Sequence, residues 1–332
     1  MITSENLYNF ENLFYPKLFN KTEKQCLDGV FWGIKHIPFD MGINQQLKDI
    51  SNLVWNKIAE RIKQLSKFQT YGICNDKYFG NSSNLIVSLT SLPNKLEQAA
   101  LIIENIMLQT KKANKIVLYI DETKKDSIIF PELLKSQFNR GLEIRWVKDV
   151  GPITKIIYAL QEFSNDCIIS VDDDVFLIDT IFELYIQKYN EYRNFTGLDK
   201  FIIAGFPYPP SKKIYQLELN LNFCPDNFAE GYTSVFYAPK VLSGSDVFDI
   251  NNMLKLSPNN DDIWLYTHEC LNKINVFPLI TTNIYIGRSL MINSFFKGTL
   301  SETVNAGKTF EDCWEIGWRN PFRKCKEYYG LK

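Results

Sequence analysis

The spacing of hydrophobic positions changes near residue 84. Residues 44–68 repeat apolar side chains at steps of three and four, which predicts an amphipathic helix. Beyond residue 84, short apolar runs alternate with helical stretches, as is typical of a mostly parallel sheet with helices on its faces. The predicted strands are 85–89, 115–120, 142–147, 167–171, 201–205 and 233–237, and the predicted helices are 94–110, 131–139, 152–163, 179–193 and one ending at 272. We therefore predict an α/β fold.

The chain divides into three predicted segments. Residues 1–80 form a mainly helical N-terminal extension, residues 84–300 the α/β domain, and residues 301–332 a tail that packs on the domain. The polar, glycine-containing stretch 74–84 is predicted to link the first two. We favour packing of the extension on the domain. Docking to a membrane surface or a partner is the alternative, and the helix's weakly basic polar face argues against it.

Composition narrows the class of protein. The 332 residues are 45% hydrophobic and 23% charged, as expected for a globular chain, and a net charge of −1 provides no basic field for nucleic acid, so we predict no such partner. Seven scattered cysteines without C-x-x-C spacing argue against disulfides or zinc. No apolar stretch reaches the ~20 residues of a membrane span. These features predict a cytoplasmic protein, with peripheral contact at the inner face of a membrane as the alternative location.

Three carboxylates, Asp172, Asp173 and Asp174, follow the predicted buried strand 167–171. Unpaired charge is too costly to bury, so they must emerge at the strand's carboxyl end, where ligands bind in open α/β sheets. In extended geometry Asp172 and Asp174 point to the same side and can share Mg²⁺ or Mn²⁺ carrying a substrate diphosphate. An acidic turn that merely closes the strand is the alternative.

The ends of the first two predicted strands are polar as well. Thr90 and Ser91 offer hydroxyls to a ligand and Lys95 a positive charge, although a plain strand-to-helix loop explains the same residues. Asp121 ends the second strand at the same edge of the sheet. Because no G-x-G-x-x-G follows the first strand, a dinucleotide site of the NAD type is disfavoured.

Lys155 lies in the first turn of a predicted helix, where the helix dipole disfavours a cation unless an anion is near. A phosphate would supply that anion, and a solvated surface lysine is the alternative. A glycine, Gly231, precedes strand 233–237 and permits close approach of the backbone.

A second acidic cluster, Asp261 and Asp262, falls where either residue could cap the helix that ends at 272. Helix capping requires no further function. The presence of two acidic clusters in one domain favours chemistry, because one can hold a metal while the other supplies a general base.

The ordered motifs resemble those of GT-A-fold glycosyltransferases of the family-2-like bacterial and viral type, which build polysaccharide or lipopolysaccharide. The resemblance rests on I-V-S-L-T-S-L-P-N-K-L, K-I-V-L-Y-I, G-L-E-I-R-W, I-I-S-V-D-D-D, G-Y-T-S-V-F-Y-A-P and N-D-D-I-W-L, in order across residues 84–275. It implies a Rossmann-like sheet, a nucleotide-sugar donor, a glycan or glycolipid acceptor and a Mn²⁺ or Mg²⁺ cofactor.

The resemblance also implies roles for individual residues. The aspartate triplet would hold metal and donor, with Asp172 and Asp174 on the metal. The late acidic pair, Asp261 and Asp262, would provide the base of an inverting transfer. Donor binding would involve Thr90, Ser91, Lys95, Asp121, Lys155, Asp172 and Asp173.

Some positions depart from the family pattern. Phe176 and Leu177 stand where relatives often have Tyr-Pro, relatives often have Arg in place of Lys95, and G-Y-T-S at 231–234 replaces a glycine-rich segment near the expected acceptor pocket. Two rival functions are a non-catalytic glycan-binding or scaffold protein of the same fold and a sugar nucleotidyltransferase. The second would ordinarily have a Gly-rich basic loop after the first strand, and this chain does not.

Overall fold

The computed structural model describes residues 45–80, 83–205, 207–208, 228–231, 234–258, 260–279, 291–293 and 315–331. Its described strands are β1 (Leu85–Thr90), β2 (Lys115–Asp121), β3 (Leu142–Val147), β4 (Cys167–Val171), β5 (Val175–Leu177), β6 (Phe201–Ala204), β7 (Pro207–Tyr208), β8 (Phe228–Ala229), β9 (Ser234–Tyr237), β10 (Asn275–Pro278) and β11 (Met291–Asn293). The helices are α1 (Gln45–Ser66), α2 (Leu96–Met107), α3 (Glu132–Phe138), α4 (Thr154–Glu162), α5 (Ile181–Thr196), α6 (Ile250–Leu256), α7 (Asp261–Leu271) and α8 (Asn320–Tyr329).

A seven-stranded sheet in the order β10-β6-β9-β4-β1-β2-β3 forms the centre of the described structure. Strands β4, β1, β2 and β3 are mutually parallel, as are β10 and β6, whereas β9 runs antiparallel to both β4 and β6. The predicted α/β class with a mostly parallel sheet flanked by helices is confirmed.

The two faces of the sheet pack against separate hydrophobic clusters. Successive side chains of a strand point to opposite faces, so Val87 and Ile169 join one cluster while Ile86 and Ile168 join the other. Every residue of β4 is buried, as expected for a strand covered on both sides.

Helix α1 is held to the domain by Trp55, whose ring lies 4.1 Å from that of Phe176, centroid to centroid. The segment after it is also fixed: the amide of Cys74 donates to the carbonyl of Ala113, and the hydroxyl of Tyr78 donates to that of Lys112. The segment 74–84, which is predicted to link the extension to the domain, is therefore attached to the domain by hydrogen bonds of its own. Residues 1–44, 209–227, 280–290 and 294–314, which include much of the predicted extension and tail, lie outside the described residues.

Helix boundaries correct one expectation. Helix α7 begins at Asp261, but its cap is Asn260, whose side-chain oxygen accepts from the amide of Ile263. Neither Asp261 nor Asp262 serves as the cap, so both carboxylates are available for other contacts. No described helix combines the length and apolarity needed to cross a membrane.

Helix α8 packs on α7 around His268. The His268 ring lies 4.4 Å from the ring of Trp264 and 5.4 Å from that of Tyr329, is 1% exposed, and has no hydrogen-bond partner on either nitrogen within the described residues. Burial lowers the pKa of His268 to about 4, against the smaller opposing effects of Asp246 and Asp249.

This buried histidine should make the fold sensitive to acid. The unfolded chain takes up the proton near pH 6.5 and the folded one only near pH 4, so stability present above pH 6.5 is lost as the pH falls to 4. At ~1.4 kcal/mol per pKa unit, the loss is on the order of 3 kcal/mol. His268→Phe should flatten this part of the pH dependence in urea unfolding. If the free energies of unfolding of the variant and the wild type changed with pH in parallel, His268 would not be the cause of the acid sensitivity.

Candidate active site

The carboxyl ends of three adjacent strands, β4, β1 and β2, meet at one edge of the sheet. Asp172, Asp173 and Asp174 follow β4, Thr90 and Ser91 lie at the end of β1, and Asp121 ends β2. The sequence predicted that these polar residues lie at one edge of the sheet, and the order and direction of the strands put them there.

Asp172 and Asp173 leave the strand toward opposite faces. Asp172 meets Lys155 of α4, whereas Asp173 accepts a hydrogen bond from the Ser91 hydroxyl at 2.5 Å and, through its carbonyl, one from Gln98 of α2 at 3.2 Å. Asp173 and Asp174 form a turn before β5, so the extended geometry assumed for Asp172 and Asp174 is wrong.

Lys155 is the centre of the site. Its Nζ lies 2.7 Å from Oδ1 of Asp172 and 3.7 Å from Oδ2 of Asp261, and it donates to the carbonyl of Gly231 at 3.2 Å. Its side chain is only 11% exposed. The two acidic clusters predicted from the sequence therefore meet at one buried ammonium group.

The sequence left open whether Lys155 pairs with an anion or is a solvated surface lysine, and the structure shows it paired with carboxylates. Burial lowers the pKa of the Lys155 ammonium, but Asp172, Asp261 and Asp262 outweigh burial and hold it above its ordinary value. Carboxylates of the protein, rather than a phosphate alone, supply the anions that a cation in the first turn of a helix needs.

The surroundings of Asp262 favour its protonated form. Burial, then the charges of Asp261 and Glu230, raise the pKa of Asp262 well above its usual range, while Lys155 and the amide of Gly231 oppose them. That amide donates to Oδ1 of Asp262 at 2.7 Å. Asp262 as a whole is of intermediate exposure, although burial has the largest effect on its carboxyl.

Asp174 is the residue best suited to a cation. Burial, then Asp172 and Asp173, raise the pKa of Asp174 to about 7, and Lys95 and Lys155 reduce this only in part. The described residues contain no group of three or more Asp, Glu, His or Cys side chains that could hold a metal by themselves. Mg²⁺ and Mn²⁺ are commonly held by one or two carboxylates together with substrate phosphates, and Asp174 with Asp172 fits that donor set.

Gly231 lets Asp262 and Lys155 lie close to the backbone at this position. A Cβ at this position would lie 2.7 Å from Oδ1 of Asp262 and 3.3 Å from Nζ of Lys155. The close backbone approach predicted for this glycine is confirmed.

Replacing Gly231 should therefore disturb the site. We expect Gly231→Ala to lower the free energy of unfolding by about 1–3 kcal/mol, because the methyl group has no room between two charged groups. Gly80→Ala is a matched control, since no atom of the described residues lies within 4 Å of a Cβ there, and it should change stability by less than about 0.5 kcal/mol. Urea unfolding measures both variants. Equal losses in the free energy of unfolding would contradict the prediction, because they would mean that Asp262 and Lys155 move aside at no cost.

Two predicted site residues do not contact this cluster. The hydroxyl of Thr90 donates to the carbonyl of Tyr119 at 2.9 Å. Asp121 accepts from the amide and hydroxyl of Thr123, at 3.0 and 2.7 Å, which keeps the pKa of Asp121 below its usual value. Both lie at the correct edge of the sheet, but their contacts are local.

Sequence reasoning missed two residues near the site. Gln98, in α2, donates to the carbonyl of Asp173. Glu269 is 1% exposed and follows Asp262 by seven positions in α7, so it lies on the same helix face. The seven-residue spacing was visible in the sequence, but the burial of Glu269 was not.

Comparisons with known proteins give glycosyltransferases among solved structures. The structure of S. aureus TarS 1–349 is 12% identical with a TM-score of 0.36, and the match covers 60% of this chain and 58% of that one. Mannosyltransferase PcManGT from Pyrobaculum calidifontis, in complex with GDP-Man and Mn²⁺, is 10% identical with a TM-score of 0.40 and coverages of 85% and 78%. Galactosyltransferase LgtC, in complex with donor and acceptor sugar analogues, is 10% identical with a TM-score of 0.38 and coverages of 73% and 95%.

Sequence comparisons add nothing to these likenesses. No family model matches the chain, and no curated protein matches it significantly. Identities of 10–12% and TM-scores of 0.36–0.40 are too low to assign an activity, so we derive the function from the geometry of the site.

Proposed function

We propose that this protein is a glycosyltransferase that moves a hexose-type sugar from a nucleotide-sugar donor to a hydroxyl of a glycan or glycolipid acceptor, with inversion. One observation carries the proposal: Asp172, at the end of β4, and Asp261, at the start of α7, meet at Lys155 at the ligand-binding edge of the sheet. The proposed donor site and acceptor base then lie next to one ammonium group.

Asp262 is the proposed general base. The residue is partly exposed and its carboxyl is oriented by the amide of Gly231, while the raised pKa makes the ionised form of the carboxyl a stronger base. As the acceptor oxygen bonds to the anomeric carbon and the bond to the diphosphate breaks, the hydroxyl proton passes to Asp262. Asp261, whose Oδ2 is buried, supports Lys155 from the same helix turn.

The aspartate triplet is proposed to face the donor. Ser91 fixes Asp173, and Lys155 fixes Asp172, so Asp174 is left to meet a cation that arrives with the diphosphate. When bound, Mn²⁺ or Mg²⁺ would offset the charge that grows on the leaving diphosphate. Burial raises the pKa values of Asp173 and Asp174, and the nearby charge of Lys95 lowers them in part. We therefore include Lys95 among the residues proposed to bind the donor. Thr90 and Asp121 would line the nucleoside side of the same edge.

The first experiment is thermal unfolding with a panel of nucleoside diphosphates, each with and without Mn²⁺. Ligand at 100 times its Kd should stabilise the protein by about 2.7 kcal/mol, which raises Tm by a few degrees. The matching nucleotide sugars are then tested for release of the diphosphate.

The outcomes separate the proposed function from its rivals. A shift followed by nucleotide release from one sugar donor supports transfer. A shift without release from any nucleotide sugar would support a non-catalytic binding protein, and pyrophosphate-dependent formation of a nucleoside triphosphate would support a nucleotidyltransferase. A folded sample that responds to no nucleotide would contradict the proposal.

A further inference from the structure

The strand that follows the aspartate triplet is short and deeply buried. Val175, Phe176 and Leu177, which make up β5, are each at most 1% exposed. The strand that pairs with β5 among the described residues is β11, which runs antiparallel to it. A strand has two edges, and buried backbone groups need hydrogen-bond partners on both. Groups on the second edge of β5 therefore need a partner other than a strand.

Helix α2 supplies that partner through side-chain amides. Asn105, which is fully buried, donates to the carbonyl of Leu177 at 3.0 Å and accepts from the amide of Leu177 at 2.8 Å. One carboxamide thus satisfies both backbone groups of a strand residue, as a neighbouring strand would. Gln109, just past the end of α2, donates to the carbonyl of Ile178 at 2.8 Å.

A third amide on the same face of α2 acts on the triplet itself. Gln98 precedes Asn105 by seven residues, which is about two helical turns, and donates to the carbonyl of Asp173 at 3.2 Å. Asp173 and Asp174 form the turn that leads into β5. The proposed cation ligand Asp174 therefore lies between a residue that Gln98 contacts and a strand that Asn105 holds.

We propose that Gln98, Asn105 and Gln109, the amide row, are positioning residues that hold the turn at Asp173 and Asp174, so that the Asp174 carboxylate meets the cation of the donor. The role toward the cation rests on the proposed function, whereas the role in holding the turn does not. A carboxamide carries no charge, so the amide row can orient the carboxylates without competing for a cation or repelling it.

A role in stability alone is the alternative, and it predicts a different order of effects. Asn105 and Gln109 are at most 1% exposed, whereas Gln98 is partly exposed. If the amide row only stabilised the fold, Gln98 would be the least important of the three in every measurement. If the amide row positions the turn, loss of the Gln98 amide should weaken cation-dependent binding more than it weakens the fold.

The first test is thermal unfolding of Gln98→Met, with the panel of nucleoside diphosphates, each with and without Mn²⁺. Met keeps the length of the side chain but cannot donate a hydrogen bond. Without ligand, Tm should fall by no more than about 2–4 °C. The Kd for nucleotide with Mn²⁺ should rise about tenfold, while the Kd without Mn²⁺ should stay within about twofold of the wild type.

Gln137→Met is the matched control. Gln137 is fully buried in α3 and donates to the carbonyl of Ala100 in α2 at 2.8 Å and to the carboxylate of Glu104 at 2.9 Å. This substitution also removes a side-chain amide that bonds to α2, but its described hydrogen bonds do not involve the turn. It should lower Tm at least as much as Gln98→Met and leave the effect of Mn²⁺ on nucleotide binding unchanged.

Amide hydrogen exchange tests the hold on the turn without any ligand. Gln98 bonds to a carbonyl, so faster exchange of the amides of 174–177 in Gln98→Met would show that the turn as a whole has loosened. We expect exchange to be about tenfold faster there, while the amides of β4 stay protected. Asn105→Leu should have a larger effect, because it also removes the acceptor of the Leu177 amide.

Two results would overturn the proposal. One is a folded Gln98→Met protein whose residues 174–177 exchange as slowly as in the wild type. The other is a Gln98→Met protein that keeps the full gain in stability from nucleotide with Mn²⁺, or a Gln137→Met protein that loses as much of it. A wild type that no nucleotide stabilises counts against the proposed function, and the exchange rates then still decide whether the amide row holds the turn.

Discussion

Replacing Lys155 by Met is expected to lower the free energy of unfolding by about 3–5 kcal/mol, because it removes one partner of a buried ion pair. Met keeps most of the apolar length of the side chain. The change leaves Asp172, Asp261 and Asp262 facing one another without the ammonium that now lies among them. Urea unfolding at pH 7 measures the loss.

A matched control distinguishes this effect from the removal of any lysine. Lys135 pairs with Glu132 on an exposed helix surface, and Lys135→Met should cost less than about 1 kcal/mol. A Lys155→Met defect below 1 kcal/mol at pH 7 would mean that the carboxylates find other partners.

A double-mutant cycle isolates the pair itself. Asp172→Asn alone leaves Lys155 with Asp261 and Asp262, and the double variant removes both members of the closest contact, at 2.7 Å. We expect the sum of the losses in unfolding free energy of the two single variants to exceed the loss of the double variant by about 1 kcal/mol or more. Coupling energies of this order are typical of residues in contact. If the two single losses add up to the loss of the double variant, the charge of Lys155 is balanced mainly by Asp261 and Asp262 rather than by Asp172.

Asp174→Asn should remove function while it stabilises the ligand-free protein. If Asp174 holds the cation that accompanies the donor, the loss of its charge should reduce transfer by about 10²–10³-fold, which is about 3–4 kcal/mol of transition-state stabilisation. The same variant should no longer gain stability from nucleotide with Mn²⁺. Diphosphate release and thermal unfolding measure the two effects.

The stability effect follows from the sign of the pKa shift. Burial raises the folded-state pKa of Asp174 to about 7, against 3.8 for an unperturbed carboxyl, so stability that is fully present below pH 3.8 is lost as the pH rises from there through 7. At pH 8, Asp174→Asn should therefore unfold at a higher urea concentration than the wild type, with a free energy of unfolding greater by on the order of 4 kcal/mol. A destabilised variant would contradict this account, and retained turnover would remove Asp174 from the mechanism.

Asp126→Asn is the control for the second prediction. Asp126 lies exposed in the turn region after β2. The substitution should leave nucleotide binding, turnover and stability within about 0.5 kcal/mol of the wild type. Equal effects of the two substitutions would indicate a general response to lost negative charge.

Local patterns predicted most of the elements in the described part of the chain. The bounds of β3 and β4 match the predicted 142–147 and 167–171 residue for residue, and α1 differs from the predicted 44–68 by one or two residues at each end. Burial of one or both faces imposes a period on the sequence, and that period is visible without a structure. The insertion of antiparallel β9 between β4 and β6 was not visible, because strand order depends on long-range packing.

The sequence by itself determined that Asp172–Asp174 end a buried strand, that Lys155 needs an anion, and that a second acidic pair begins a later helix. Tertiary structure alone decided that Lys155 joins Asp172 to Asp261, that Asp173 turns to Ser91, and that Glu269 is buried. Periodicity and capping act over a few neighbouring residues. Charge pairing joins groups that are distant in the chain, and only the packing of helices α4 and α7 on one face of the sheet brings those groups together.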